Sequence, residues 1–128
     1  MKTVEIGKIG ESIAAKYLKK QGYKIIARNQ HQSHNEIDII ASNKNFLVFV
    51  EVKTRSSQED LYLPFGSPAS AVDRNNQART IRAAQSYIVS CSDKEKKKQP
   101  RMDVIEVYLK QDTKKLLHLN HIENAFGM

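Results

Sequence analysis

One cysteine, no tryptophan, three prolines and five glycines in 128 residues leave little material for a disulfide framework or a flexible linker. Cys91 cannot form an internal disulfide, and no Cys or His stands near it at zinc-ligand spacing. A reducing cytoplasm is the expected compartment. No Pro/Gly/Ser-rich stretch divides the chain, and its length suffices for one core, so residues 1–128 are read as a single domain. Long apolar runs are missing too. Glu5, Lys8 and Glu11 interrupt the N-terminal segment, and no other stretch approaches a membrane span. The sequence reads as a soluble, unexported protein with no membrane partner. It contains no internal repeat, and its one biased segment, residues 93–98, is expected to be a solvated loop.

Acidic residues are outnumbered. The 21 Lys and Arg against 14 Asp and Glu give a formal charge of +7, which favours a polyanionic partner such as nucleic acid, DNA foremost. Solubility alone accounts for the same balance in many basic domains. No aromatic platform for base stacking is visible, since Tyr17, Tyr23, Tyr87 and Phe126 read as core.

Apolar Ile6, Ile9, Ile13, Ala14, Tyr17 and Leu18 recur at helical spacing before Gly22, which predicts a helix over residues 4–21. Strands are expected over residues 23–29, 36–41 and 46–54, the second and third forming a hairpin. Residues 55–67, polar and carrying Pro64 and Gly66, form a long connection that is a candidate lid. Over residues 69–89, Ala71, Val72, Ala78, Ile81, Ala84, Tyr87 and Ile88 lie near one face, as one long helix or two short ones. Strands over residues 102–109 and 115–122 complete the pattern. The fold class is α/β, a mixed five-stranded sheet flanked by helices.

The strand at residues 46–54 carries charges that a buried strand does not tolerate without partners. Alternation places Leu47, Phe49, Glu51 and Lys53 on one face and Val48, Val50 and Val52 on the other. With a two-residue turn at Lys44 and Asn45, Asp38 falls opposite Glu51, their Cβ atoms about 5 Å apart. Two facing carboxylates repel. A magnesium ion would offset this, because carboxylate oxygens bind it at about 2.1 Å and it retains waters. Lys53 lies about 7 Å along the strand from Glu51, within reach of those waters or of a phosphate oxygen. Helical geometry puts Glu11 at the rim of the first helix's apolar stripe, where it would complete an acid cluster with Asp38 and Glu51. Glu36 is a further candidate. A cross-strand salt-bridge cluster of Asp38, Glu51 and Lys53 needs no metal and explains the same spacing.

The pattern Ile37-Asp38, twelve residues, then Glu51-Val52-Lys53 resembles the PD-(D/E)XK nuclease signature, with Ile37 where proline is frequent. Together with Gly10-Glu11-x-x-Ala14, Asn29, Glu36, Arg55, Phe65-Gly66-x-Pro68, Arg101-x-Asp103 and Asn124-Ala125-Phe126, it resembles the small YraN-like uncharacterised bacterial family over nearly the whole chain. That resemblance implies a restriction-endonuclease-like fold, similar to Holliday junction resolvases, and an endonuclease requiring Mg²⁺ or Mn²⁺. It makes Asp38 and Glu51 metal ligands with the Val52 carbonyl, Lys53 the catalytic lysine and Glu11 the helical acid. It also brings Gln77 near the site. The chain departs from the family's pattern at Asn35, where glycine is usual, and at Asn76, where lysine is common.

Arg55, Arg74 and Arg79 are candidates for nucleic-acid contact beside Gln77, and Arg82 shares their helix; each is equally explained as solvated surface or an ion pair. Asp103 is expected to fix backbone at a strand start. His31 and His34, in a loop, have no matching pair and are not nominated as ligands. The expected function is a metal-dependent endonuclease acting on DNA, branched or junction DNA included, and symmetric junction cleavage would need a homodimer. The alternative is a nucleic-acid-binding module on the same fold without catalysis of its own.

Overall fold

The computed structural model describes residues 3–32, 34–57 and 74–127. Helix α1 (Thr3–Lys20) leads into β1 (Lys24–Gln32), β2 (Asn35–Ser42) and β3 (Phe46–Ser57). Helix α2 (Arg74–Ser90), one-turn α3 (Asp93–Lys96), β4 (Gln99–Lys110) and β5 (Leu116–Phe126) follow. The strands form one sheet in chain order, antiparallel throughout except for the parallel β3–β4 pair at its centre. This is the mixed five-stranded α/β architecture expected from the sequence. Residues 58–73, which hold most of the proposed lid and the start of the expected second helix, lie outside the described residues. Arg55 is not in a loop: β3 runs three residues beyond Thr54.

Alternation along β3 divides the core as expected. Val48 and Val50 pack with Ile39, Ala41, Ile105 and Val107 beneath Ala14, Ala15 and Leu18 of α1. Leu47 and Phe49 face the other way, with Ile40, Met102 and Val104 beneath Ala83 and Ala84 of α2. One helix therefore covers each face, which lets both central strands be apolar on both sides. Among the described residues no helix is long and apolar enough to cross a membrane.

Helix α1 approaches β3 closely at one point. A Cβ at Gly10 would fall 1.9 Å from Thr54 Oγ1 and 2.8 Å from its Cβ. Only a glycine fits there, and the next residue is Glu11. The glycine thus sets how near the helical acid comes to the strand that carries Glu51 and Lys53.

Two expectations change. Residues 93–96 are a helical turn rather than loop, because Ser92 Oγ accepts the Glu95 N–H at 3.4 Å as an N-cap. His31 belongs to β1, paired with Glu36 across the strands, and only His34 stands in the turn, with φ at 68°.

Asp103 holds the far end of the sheet. Its fully buried carboxylate accepts from Arg101 at 2.9 and 2.8 Å, from His121 Nε2 at 2.7 Å and from the Asn124 N–H at 2.9 Å. An ionised carboxylate only accepts, so His121 Nε2 carries a proton, and its Nδ1 meets the Tyr17 hydroxyl at 3.0 Å. Arg101 also donates to the Tyr23 hydroxyl at 2.6 Å and stacks 4.7 Å from the Phe46 ring centroid. The network ties α1, the turn before β1, β4 and β5 together, a larger version of the backbone-fixing role expected for Asp103. Burial pushes its carboxyl up, but the His121, Arg101 and Asn124 hydrogen bonds outweigh burial and hold it below the ordinary range. Its stabilisation is therefore present at neutral pH and lost as pH falls through that depressed value.

Two outcomes follow for urea denaturation. Asp103→Asn leaves buried Arg101 with only the exposed Glu123 carboxylate, 3.5 Å away, and costs about 3 kcal/mol at pH 7. Gly10→Ala costs about 2 kcal/mol through overpacking, and Thr54→Ala in the same chain recovers part of that loss.

Candidate functional site

The site begins with a turn. Asn43 Oδ1 accepts the N–H groups of Asn45 and Phe46 at 2.9 and 2.8 Å, and the Asn43 N–H reaches the Phe46 carbonyl at 3.1 Å. This closes the two-residue hairpin expected at Lys44 and Asn45. It fixes the register Ser42↔Leu47 through Ile39↔Val50.

The next step in that register faces Asp38 with Glu51, as the sequence predicts, but the backbone ladder ends there. Asp38 Oδ2 instead accepts the Val52 N–H at 2.8 Å, a side chain replacing the carbonyl a continuing strand would supply. The amide and carbonyl of one strand residue point to the same side, so the Val52 carbonyl faces the same opening. Glu51 pairs along its strand with Lys53, Oε1 to Nζ 3.4 Å.

Both acids are held above their ordinary range. Burial raises the Asp38 carboxyl most, the charge of Glu51 adds to it, the Val52 N–H opposes, and the result moves from 3.8 to about 7. Glu51 is also raised by burial, against the pull of Lys53. Among the described residues no cation pairs with Asp38. The strand opening thus holds two desolvated carboxylates and, among the described residues, one ammonium paired with them, that of Lys53.

A pocket of about 460 Å³ opens over Asp38, Val52, Lys53 and Arg55 of the hairpin, with Lys8 and Glu11 of α1 on its far wall. Glu36 and Asn29 also line it. Glu11 is not drawn into a carboxylate cage: its Oε1 accepts from Asn29 Nδ2 at 2.9 Å and lies 3.5 Å from Arg28 Nε. Among the described residues no three His, Cys, Asp or Glu side chains gather closely enough to hold an ion. The expected acid cluster is therefore a close pair, Asp38 and Glu51, with Glu11 as a neighbour whose charge reaches Asp38. Arg55 lines the pocket as well. Arg74, Gln77 and Arg79 occupy α2, over the face toward which Phe49, Glu51 and Lys53 point, and none lines the pocket. Arg74 and Arg79 are exposed, and Gln77 is half-buried.

Sequence reasoning passed over Lys8, a cation on the helix turn before Glu11, and Arg28. The signal for Lys8 was its spacing of three from Glu11, which puts both on one helical face. It also left Asn29 without a role, although a polar amide between Arg28 and Gln30 in a strand-like run marks an irregular position.

Oxygen donors dominate the opening: two carboxylates, a carbonyl and room beside them. Such a set suits a hard cation, and magnesium in particular binds through one or two carboxylates while keeping waters. Among the described residues no sulfur or imidazole lines the opening, which disfavours a zinc site. The residues present therefore fit Mg²⁺ or Mn²⁺.

The uncharacterised protein family UPF0102 matches residues 10–107, a span that contains every one of these pocket-lining strands. The chain belongs to UPF0102. A UPF0102 protein of Caldanaerobacter subterraneus subsp. tengcongensis is 49% identical over 121 residues, covering 94% of this chain and 93% of the relative. Another, from Alkaliphilus oremlandii, is 44% identical over 122 residues, with 95% and 97% covered. A third, from Dictyoglomus thermophilum, is 40% identical over 126 residues, with 98% and 100% covered. The YraN-like motifs in the sequence thus led to the right family, and the likeness extends along almost all of each UPF0102 relative.

The Asp38 carboxyl binds a proton more tightly folded than unfolded, so its contribution favours folding below about pH 4 and is lost as pH rises through about 7. Asp38→Asn keeps an acceptor for the Val52 N–H and removes the charge. In metal-free buffer the variant is expected to match the parent near pH 4 and exceed its stability at pH 8 by on the order of 2 kcal/mol. Urea melts at the two pH values measure this; a variant less stable at pH 8 contradicts it.

Proposed function

We propose that this UPF0102 protein is a metal-dependent endonuclease that hydrolyses phosphodiester bonds in DNA, on a restriction-endonuclease-like fold of the PD-(D/E)XK superfamily. The observation that carries the reading is the pair of desolvated carboxylates, Asp38 and Glu51, at the point where β2 and β3 part, with Lys53 beside them. A salt-bridge cluster gives a poorer account, because Lys53 pairs with Glu51 while no cation among the described residues pairs with Asp38.

Asp38, Glu51 and the Val52 carbonyl would hold Mg²⁺ or Mn²⁺. When bound, the ion supplies charge neutralisation at a phosphate and a more acidic water. Lys53 would place a positive charge next to the phosphate oxygen or hand a proton at its Nζ. Lys8 of α1 and Arg55 of β3, which both line the pocket, would position the phosphate backbone. The net charge of +7 draws a polyanion in and makes binding depend on salt. Arg74, Gln77 and Arg79 would extend the contact over the α2 side. Branched or junction DNA is the preferred substrate class by the resemblance to Holliday junction resolvases, and cleavage of both strands of a junction would use a homodimer.

A second reading, a nucleic-acid-binding module without turnover, is favoured by one observation: among the described residues no third acid joins the pair. Cleavage assays with branched, nicked, linear and single-stranded DNA in Mg²⁺ and Mn²⁺ separate the two. The endonuclease reading expects Asp38→Asn and Glu51→Gln to remain folded and lose at least about 100-fold in rate. Salt-sensitive DNA binding with no cleavage of any substrate supports the module instead.

A further inference from the structure

Asn29 has a left-handed backbone, φ 53°, in the middle of β1. For an L-residue that conformation costs roughly 1–2 kcal/mol, and asparagine is among the few side chains that tolerate it. The cost falls at a particular place. The β1–β2 pairing passes from Arg28↔Ile39 to Gln30↔Ile37 without an Asn29–Asp38 pair, so both strands that flank Asp38 release it at the same level. The turned backbone sends the Asn29 amide to Glu11 Oε1 at 2.9 Å, and Arg28 Nε approaches that same oxygen at 3.5 Å. Glu11 Oε2 has no partner among the described residues, and Glu11 lines the pocket beside Asp38. Gly10, meanwhile, sets the height of this acid above β3.

We propose that Asn29 is the positioning residue of the pocket: through its left-handed backbone it holds Glu11 by one oxygen and leaves the other directed to the cation site of Asp38 and Glu51. This rests on the metal-dependent reading of that site. An amide suits the task because it donates without adding charge, so Asn29 takes nothing further from the charge of an acid that Arg28 already pairs with at 3.5 Å. A second arginine in its place would neutralise the acid. An aspartate would repel it.

Asn29→Gly separates the two parts of the device, since glycine adopts the same backbone without strain and removes only the amide. Titration calorimetry with Mn²⁺ alone, on the parent, Asn29→Gly, Glu11→Gln and the double variant, with a thermal melt of each, provides the test. Asn29→Gly is expected to melt like the parent and bind Mn²⁺ about tenfold more weakly. The double variant is expected to be no weaker than Glu11→Gln, because Asn29 acts through Glu11. Equal Mn²⁺ affinity in the parent and Asn29→Gly overturns the proposal while leaving the site intact. Additive losses in the double variant also overturn it, as they make Asn29 a general structural residue. If the folded parent binds no Mn²⁺ and cleaves no DNA, the reading of the site fails, and the proposal with it.

Discussion

The site depends on one hydrogen bond, from the Val52 N–H to the Asp38 carboxylate. A strand that ran on would have filled that donor with a carbonyl, and the sheet would have closed over the position. Because a side chain takes the carbonyl's place, β2 and β3 part while the central strand stays satisfied. The opening leaves a backbone carbonyl facing outward and brings two acids together out of water. Each consequence is unfavourable in the isolated chain, and all three become favourable around a hard cation. The neighbouring ladder steps, regular from Ile39↔Val50 to Ser42↔Leu47, provide the stiffness that keeps the opening from collapsing.

Local pattern made much of this legible. The apolar spacing of Ile6 to Leu18 and the stop at Gly22 place α1 to within a residue at each end. The turn at Lys44 and Asn45 depends on neighbours only, so the register up to Ile39↔Val50, one step short of Asp38 and Glu51, followed from counting. Alternation along Leu47 to Val52 gave both core faces. These are short-range properties, and short-range arguments reach them.

Features that needed a distant partner were not legible. Nothing near Asn29 in the chain reveals that a helix acid eighteen positions away waits for its amide. The Asp103 network escapes for the same reason: Tyr17, Tyr23, Arg101, His121 and Asn124 come from both ends of the chain. Alternation also misread how long the strands are. The strand expected over residues 102–109 stops short of Arg101, yet β4 runs from Gln99 to Lys110 and buries Arg101, Asp103 and Glu106, each of which finds a hydrogen-bond partner there. The three-acid cluster was an overreach of another kind. Helical geometry gave the direction of Glu11, but not that Asn29 and Arg28 would take hold of it first.

The parallel β3–β4 pair separates two parts of the chain by the order in which they can assemble. Helix α1 and the first three strands meet through turns of a few residues, so the residues around the opening can find one another early. The register Phe46↔Gln99 to Ser57↔Lys110 closes only after the chain has crossed over through α2, and that entropy is lost before any contact repays it. Both acids owe their raised proton affinity first to burial, so that affinity belongs to the folded protein alone.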